Sequence, residues 1–341
     1  MPQPTVRRLR SLAALFLPLV FVLAACSGGS DDQSAGGSGG FAPVTIPHTF
    51  GSTTISERPE RVVTWGWGSS DAAIALGVVP TAMPRNSYGA DAEGLMPWQA
   101  EALRAKGAPT PTLLTESETP PFEEIAKARP QVILANYSGI TQQDYDTLSK
   151  IAPTVAYPGE PWSTPWRDVV TTVGQALGKS AEATQLLDGI NARVRDEAAR
   201  HPEFRGKTIA AVAADPAAFY VYKGLDPRVQ FLTDLGFVLA PSVGTLETPG
   251  EGFYYTLSLE KLAELSSDVL VSYAESPQRA QEVLASAPLQ VMGQVQRGTV
   301  ASIVGEAQVS SVSPPTALSL TWSLDTFVNE LSTAAKKADA A

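Results

Sequence analysis

The chain has 341 residues, more than one hydrophobic core usually organises, so two domains of ordinary size are expected. Its 44% hydrophobic and 18% charged content is that of a folded globular protein. The formal charge is −10, and without residues 1–25, which hold Arg7, Arg8 and Arg10 but no acid, 22 basic residues face 35 acidic ones. That balance argues against nucleic acid and against holding an anionic membrane by charge. A single cysteine allows no internal disulfide, and two histidines leave little material for a histidine-based metal site.

Residues 1–25 have the layout of a secretory leader: Arg7-Arg8-Leu9-Arg10, an apolar run over 12–22, then small residues. The run is short for a transmembrane span. It ends Leu23-Ala24-Ala25-Cys26-Ser27, which resembles the bacterial lipoprotein box. The resemblance implies cleavage before Cys26 and diacylglyceryl attachment to its sulfur, each buried CH₂ adding about 0.8 kcal/mol of membrane affinity. Residues 26–43 read as a tether, and their Gly/Ser-rich stretch has a mean reach of about 20 Å.

An N-terminal lobe is expected over 44–165. A strand at 61–65 leads to the turn Gly66-Trp67-Gly68-Ser69-Ser70-Asp71 and a helix over 71–76 capped by Ser69 or Ser70. Ligands of open α/β sheets sit beyond the carboxyl ends of strands, where Trp65 and Trp67 fall. A strand at 78–82 delivers Arg85 and Tyr88 to the same edge, and a buried strand at 131–135 delivers Asn136 and Tyr137. A helix at 144–151 and a strand at 154–157 precede a turn carrying Trp162 and Trp166. Residues 166–205 are the connection. A helix spans 166–177, and after Gly178 comes a rod over 180–200, with Ser180 its expected N-cap. Ala183, Leu186, Leu187, Ile190, Val194 and Ala198 make one stripe on the rod at steps of three and four. At about 1.5 Å per residue the rod is roughly 30 Å long.

The C-terminal lobe is expected over 206–338, with strands at 207–214, 268–273 and 299–304 and a strand or loop edge at 219–222. A helix at 227–235 stops at Gly236, an aromatic glycine-rich loop covers 250–255, and a helix closes the lobe over 317–335. The lobes are related. Pro121-Phe-Glu-Glu-Ile-Ala-Lys-Ala-Arg-Pro-Gln-Val-Ile-Leu-Ala and Ser258-Leu-Glu-Lys-Leu-Ala-Glu-Leu-Ser-Ser-Asp-Val-Leu-Val-Ser align without a gap, placing Glu123 opposite Glu260. In both, a short amphipathic helix feeds a buried strand followed by an aromatic, Tyr137 or Tyr273. A second pair, Ala75-Leu-Gly-Val-Val-Pro and Asp234-Leu-Gly-Phe-Val-Leu-Ala-Pro, occurs in the same order. The reading is an α/β fold of two Rossmann-like lobes joined by a single long backbone helix.

With Arg58-Pro-Glu-Arg-Val-Val, these repeated segments and the rod, the chain resembles the siderophore-, heme- and cobalamin-binding group of substrate-binding proteins that serve ABC importers, from about residue 45 to 333. The resemblance implies an interlobe cleft of periplasmic-binding-protein class, limited hinge motion and delivery of ligand to a permease without chemistry on it. It also implies that Glu123 and Glu260 dock on permease arginines; two equivalent carboxylates on pseudo-symmetric lobes suit a two-fold partner. The expected cleft residues are Trp65, Trp67, Arg85, Tyr88, Tyr137, Trp162, Tyr220, Tyr222, Arg228, Tyr254, Tyr273 and Trp322, because aromatics with a polar tip suit a large amphipathic ligand. Arg85 and Arg228 suit anionic oxygens of a chelate, or a place on the surface. Where the family often has arginine before the Glu123 unit, Glu116-Ser-Glu118 stands here, which tilts the ligand from an anionic catecholate toward a neutral or cationic hydroxamate.

The expectation is therefore a monomeric lipoprotein, anchored by its lipid alone on the extracytoplasmic face of the cell membrane, that captures a ferric siderophore for an ABC importer. No cofactor and no protein-held metal are expected. Heme or cobalamin is the alternative ligand. An enzyme is the alternative of a different class, but no Gly-x-Ser-x-Gly, His-Glu-x-x-His or Gly-x-x-x-x-Gly-Lys-Ser/Thr motif is present.

Overall fold

The computed structural model describes residues 41–214, 218–248, 250 and 252–340. The leader, Cys26 and the tether through residue 40 lie outside the described residues. An antiparallel hairpin comes first, β1 (Val44–His48) with β2 (Gly51–Ile55), in which alternate residues Ile46, His48, Thr53 and Ile55 face inward. The buried His48 is hydrogen-bonded to Thr53 and packs on Tyr145.

The N-terminal lobe follows as β3 (Val62–Gly66), α1 (Ser69–Ala75), β4 (Ala82–Pro84), α2 (Pro97–Ala105), β5 (Thr112–Leu114), α3 (Phe122–Lys127), β6 (Val132–Tyr137), α4 (Gln142–Ile151) and β7 (Thr154–Ala156). Its strands form one wholly parallel sheet in the order β5-β4-β3-β6-β7. β6, Val-Ile-Leu-Ala-Asn-Tyr, is buried at every position, as a central strand covered on both faces must be.

α5 (Trp166–Ala176) and α6 (Ser180–Arg200) make the connection. α6 is the expected rod. Ala183, Ile190 and Val194 are buried, the last two each contributing about 1.5–3 kcal/mol. The largest core cluster runs through α5 and α6 from β6 of one lobe to the C-terminal sheet.

The C-terminal lobe holds β8 (Thr208–Ala214), β9 (Phe219–Tyr222), α7 (Pro227–Asp234), β10 (Val238–Leu239), α8 (Pro241–Leu246), β11 (Tyr254–Leu257), β12 (Val269–Ala274), α9 (Pro277–Ala285), α10 (Gly293–Arg297), β13 (Val300–Val304), α11 (Glu306–Val312) and α12 (Ser319–Ala340). Its sheet runs β11-β9-β8-β12-β13, with β10 also on β8. The parallel set β10-β8-β12-β13 repeats β4-β3-β6-β7 strand for strand. The repeat seen in the sequence is therefore a repeat of topology. The second lobe adds an antiparallel pair, β9 and β11, on its edge.

Several local expectations are corrected. α1 starts from Gly68 in a left-handed conformation, with Ser69 and Ser70 inside its first turn, where their hydroxyls meet Asn136 and Thr64. α6 is preceded by Lys179, which makes no side-chain cap, so Ser180 is the first helical residue and not the N-cap. The strand expected at 78–82 is β4 at Ala82–Pro84, starting four residues later and ending two later, because the Val78 N–H still bonds back to the Ala73 carbonyl at the helix end. The second amphipathic segment is a 3₁₀ turn, Leu259–Glu264, and the 250–255 loop gives way to β11 at Tyr254.

The lobes also touch away from α6. Asp71 of α1 is buried and accepts hydrogen bonds from Trp98 Nε1 (2.7 Å), Gln99 Nε2 (2.7 Å) and Thr316 Oγ1, the last from the loop before α12. Burial pushes its carboxyl above the ordinary range, although all three donors favour the anion. Beside it Trp98 packs on Trp322 at 5.5 Å.

Candidate ligand-binding cleft

The N-terminal wall is made where β3, β4, β5 and β6 end, the carboxyl edge of a parallel sheet. Gly66 is at φ 84°, and a Cβ there would stand 2.3 Å from the Tyr137 carbonyl oxygen, so only glycine lets β3 cross so near β6. Trp67 N–H donates to that carbonyl at 2.9 Å, leaving its ring 37% exposed toward the cleft. Trp162 is one of two non-glycine residues with positive φ among those described, at 57°. Its indole lies against Gly139, where a Cβ would come within 2.2 Å of the ring nitrogen, and meets Tyr137 edge-on at 6.2 Å. A cavity of about 160 Å³ lies between Trp65, Trp67, Trp162, Arg85, Glu116 and Glu118. Glu124 holds the 115–118 loop there, accepting from Thr115 N–H (2.9 Å) and Oγ1 (2.7 Å).

The C-terminal wall is built on β9 and β11. Tyr220, Tyr222, Arg228, Phe253 and Tyr254 line a cavity of about 280 Å³. A third, of about 560 Å³, spans the lobes, with Glu160 and Trp162 on one side and Lys223, Phe253 and Tyr254 on the other. Arg228 is buried, its guanidinium carbon 3.8 Å from the centre of the Tyr222 ring and 5.3 Å from that of Phe253. Burial works against its charge, but the hydrogen bonds and charge of Asp226 outweigh this and hold it protonated.

Burial pushes the phenols of Tyr137, Tyr222 and Tyr273 upward, only partly opposed by the Arg228 charge. Tyr137 comes from one lobe and Arg228 from the other, near enough for the charge of one to act on the phenol of the other. Neutral phenols are hydrogen-bond donors. Among the described residues no group of three His, Cys, Asp or Glu side chains is arranged to hold a metal. His201 pairs with Glu203 instead.

Of the expected cleft residues, Trp65, Trp67, Arg85 and Trp162 line the first wall and Tyr220, Tyr222, Arg228 and Tyr254 the second. Tyr137 and Tyr273 stand behind them as support, Tyr273 edge-on to Tyr222 at 6.2 Å. Arg85 also staples its own loop, donating to the carbonyls of Glu93 and Ala92. Arg228 is no surface charge, being ion-paired with Asp226. Two residues fall elsewhere. Trp322 packs on Trp98 and reaches Glu101 at 3.3 Å, because the buried stripe of α12 (Leu320, Leu324, Phe327, Leu331) is a different face. Tyr88 is 42% exposed on the rim, where its carbonyl accepts from Ser310 and the next N–H, of Gly89, donates to Glu306. Sequence reasoning missed Phe253, Lys223 and Asp226, of which only Phe253, inside the aromatic loop 250–255, left a signal. Glu123 on α3 and Glu260 on the 3₁₀ turn are both exposed.

The chain matches the periplasmic binding protein family over residues 62–306. It is 27% identical over 278 residues to the "Probable siderophore-binding lipoprotein YfiY" of Bacillus subtilis (strain 168), covering 80% of this chain and 81% of that protein. Its fold is similar to that of PiaA from Streptococcus pneumoniae TIGR4 in complex with ferrichrome, with a TM-score of 0.80 and 34% identity over 86% of this chain and 99% of that one. It is also similar to a periplasmic solute-binding protein of Mycobacterium smegmatis str. MC2 155, with a TM-score of 0.73 and 29% identity over 86% of this chain and 99% of that one. Such proteins bind substrates for transport and are not enzymes. Two repeated lobes on one helix, with cavities between their aromatic walls and a match over most of the chain, make this protein a member of the periplasmic binding protein family.

Proposed function

We propose that the protein captures a ferric siderophore in the interlobe cleft and delivers it to an ABC importer. The observation that carries this is the pair of walls, Trp65, Trp67 and Trp162 around a cavity of about 160 Å³ and Tyr220, Tyr222 and Tyr254 with the held Arg228 around one of about 280 Å³, with a cavity of about 560 Å³ between Trp162 and Tyr254. That volume suits a molecule larger than an amino acid or simple sugar. The ferrichrome bound to the similar PiaA and the siderophore named for the B. subtilis relative support the same ligand class. Glu116, Glu118 and Glu160 put carboxylates on the N-terminal side, which favours a neutral or cationic hydroxamate over an anionic catecholate.

The test is a titration of the domain from residue 41, following tryptophan fluorescence, with ferrichrome, other ferric hydroxamates, ferric catecholates, heme and cobalamin. Saturable quenching by the hydroxamates is the expected result, and quenching by heme or cobalamin alone would replace this ligand. In the same reading Cys26 carries the lipid that holds a monomer on the outer face of the cell membrane, to be seen as a diacylated mass in the membrane fraction. Glu123 and Glu260 dock on the permease, so Glu123→Ala/Glu260→Ala should bind ligand normally and lose uptake. Normal uptake by that double variant would remove the docking role.

A further inference from the structure

Asp226 lies at the N-cap of α7, is fully buried, and accepts three hydrogen bonds from one residue. Its Oδ1 takes the backbone N–H of Arg228 at 2.8 Å and Arg228 Nε at 2.8 Å, and its Oδ2 takes Nη2 at 2.7 Å. A helix cap needs only the first of these. The other two form a side-on fork that fixes the plane of the guanidinium. Arg228 Nη1 donates to Ser313 Oγ at 2.7 Å. A guanidinium has five N–H groups, so one on each terminal nitrogen is left without a protein partner among the described residues. The rings of Tyr222 and Phe253 flank the group, and the cavity of about 280 Å³ opens beside it. A buried ion pair is seldom the most stable filling for such a space.

We propose that Asp226 is a positioning residue: it locks Arg228 so that its two spare N–H groups face the cleft and together meet oxygen atoms of the bound chelate. The inference rests on the ligand class proposed above. A lysine in place of Arg228 would keep the charge but not the fork, and an unlocked arginine would keep the fork but turn it freely.

The test uses ferrichrome, with Kd from tryptophan quenching and the active fraction from stoichiometry. Asp226→Asn and Asp226→Ser both keep an N-cap acceptor, so a role confined to capping predicts an unchanged Kd in the folded fraction. The positioning role predicts that both weaken binding about ten- to a hundredfold, the range for one charge-assisted hydrogen bond. It further predicts that Asp226→Asn costs little once Arg228→Ala is present, and that Arg228→Lys binds as poorly as Arg228→Ala. Parental affinity in Asp226→Asn, additive losses in the double variant, or parental affinity in Arg228→Lys would each overturn it. If neither Asp226 variant folds, the Arg228→Lys comparison decides. A parent protein that binds none of the ferric chelates removes the functional reading and this inference together, whereas a binding parent with an indifferent Asp226→Asn removes the inference alone.

Discussion

Gly139→Ala separates binding from stability in this fold. A Cβ at that position would stand 2.2 Å from Trp162 Nε1, 2.6 Å from Cε2 and 3.0 Å from Cζ2. Ordinary contact begins near 3.4 Å, so the indole must retreat by roughly 1 Å. It can do so, because Trp162 is only partly buried and the conflict is with a side chain and not with backbone. Gly139 does not have a positive φ, so alanine brings no backbone strain. The expected stability change is therefore under about 1 kcal/mol, a shift of a few degrees in Tm for a chain of this size. The displaced indole, however, is the surface shared by the 160 Å³ and 560 Å³ cavities. Losing half of one aromatic contact costs about 1–1.5 kcal/mol, near tenfold in Kd. Thermal unfolding and fluorescence titration with ferrichrome, run on the same preparation, check both numbers. Parental affinity with an intact fold would show that Trp162 forms no part of the ligand's wall, and a collapse in Tm would show that the ring cannot move.

Gly66→Ala, in the same wall, should behave oppositely. Its Cβ would meet the Tyr137 carbonyl oxygen at 2.3 Å and its φ is 84°, so backbone must move and the variant should lose several kcal/mol, read as loss of soluble folded protein. Glu203 anchors the end of α12: partial burial opposes its charge, but hydrogen bonds from Ser332 and His201 and the nearby Lys336 draw it down to about 2. A folded value below the unfolded one stabilises above the unfolded pKa and is lost as pH falls through the folded one. Parent and Glu203→Gln should thus differ by on the order of 2 kcal/mol at neutral pH and converge between about pH 4.5 and 2 in chemical denaturation. Spectrophotometric titration of the empty protein should leave the Tyr137 and Tyr273 phenols neutral well beyond the ordinary tyrosine range. A Tyr137→Phe or Tyr273→Phe variant that lost part of the phenolate absorbance seen in the ordinary range would contradict this.

The parts legible in the sequence are those whose physics is local. The stripe of α6, the continuous apolar run of β6 and the glycine stops at Gly77 and Gly236 each follow from periodicity or backbone freedom within a few residues. The gap-free match of the Glu123 and Glu260 segments likewise carried the duplication, and the strand order of the two sheets repeats it. The caps expected at Ser69 or Ser70 and at Ser180 fall instead on Gly68 and Lys179, because side-chain preference does not carry the backbone conformation those two residues adopt.

Pairings between distant segments left no such trace. Trp322 has the same composition signal as Trp67, yet one packs on Trp98 and the other borders the cleft, since only the docking of α12 decides which face of that helix is covered. Asp71 and Thr316 meet across 245 residues, and the charge of Arg228 is held by Asp226, whose role left no signal in the sequence. Two related α/β lobes on one helical rod follow from the order of residues alone, because burial periodicity and glycine stops are properties of short segments. Which side chains share the cleft, and which carboxylate locks the arginine there, was decided only when the chain closed, because those energies depend on distances that no local pattern encodes.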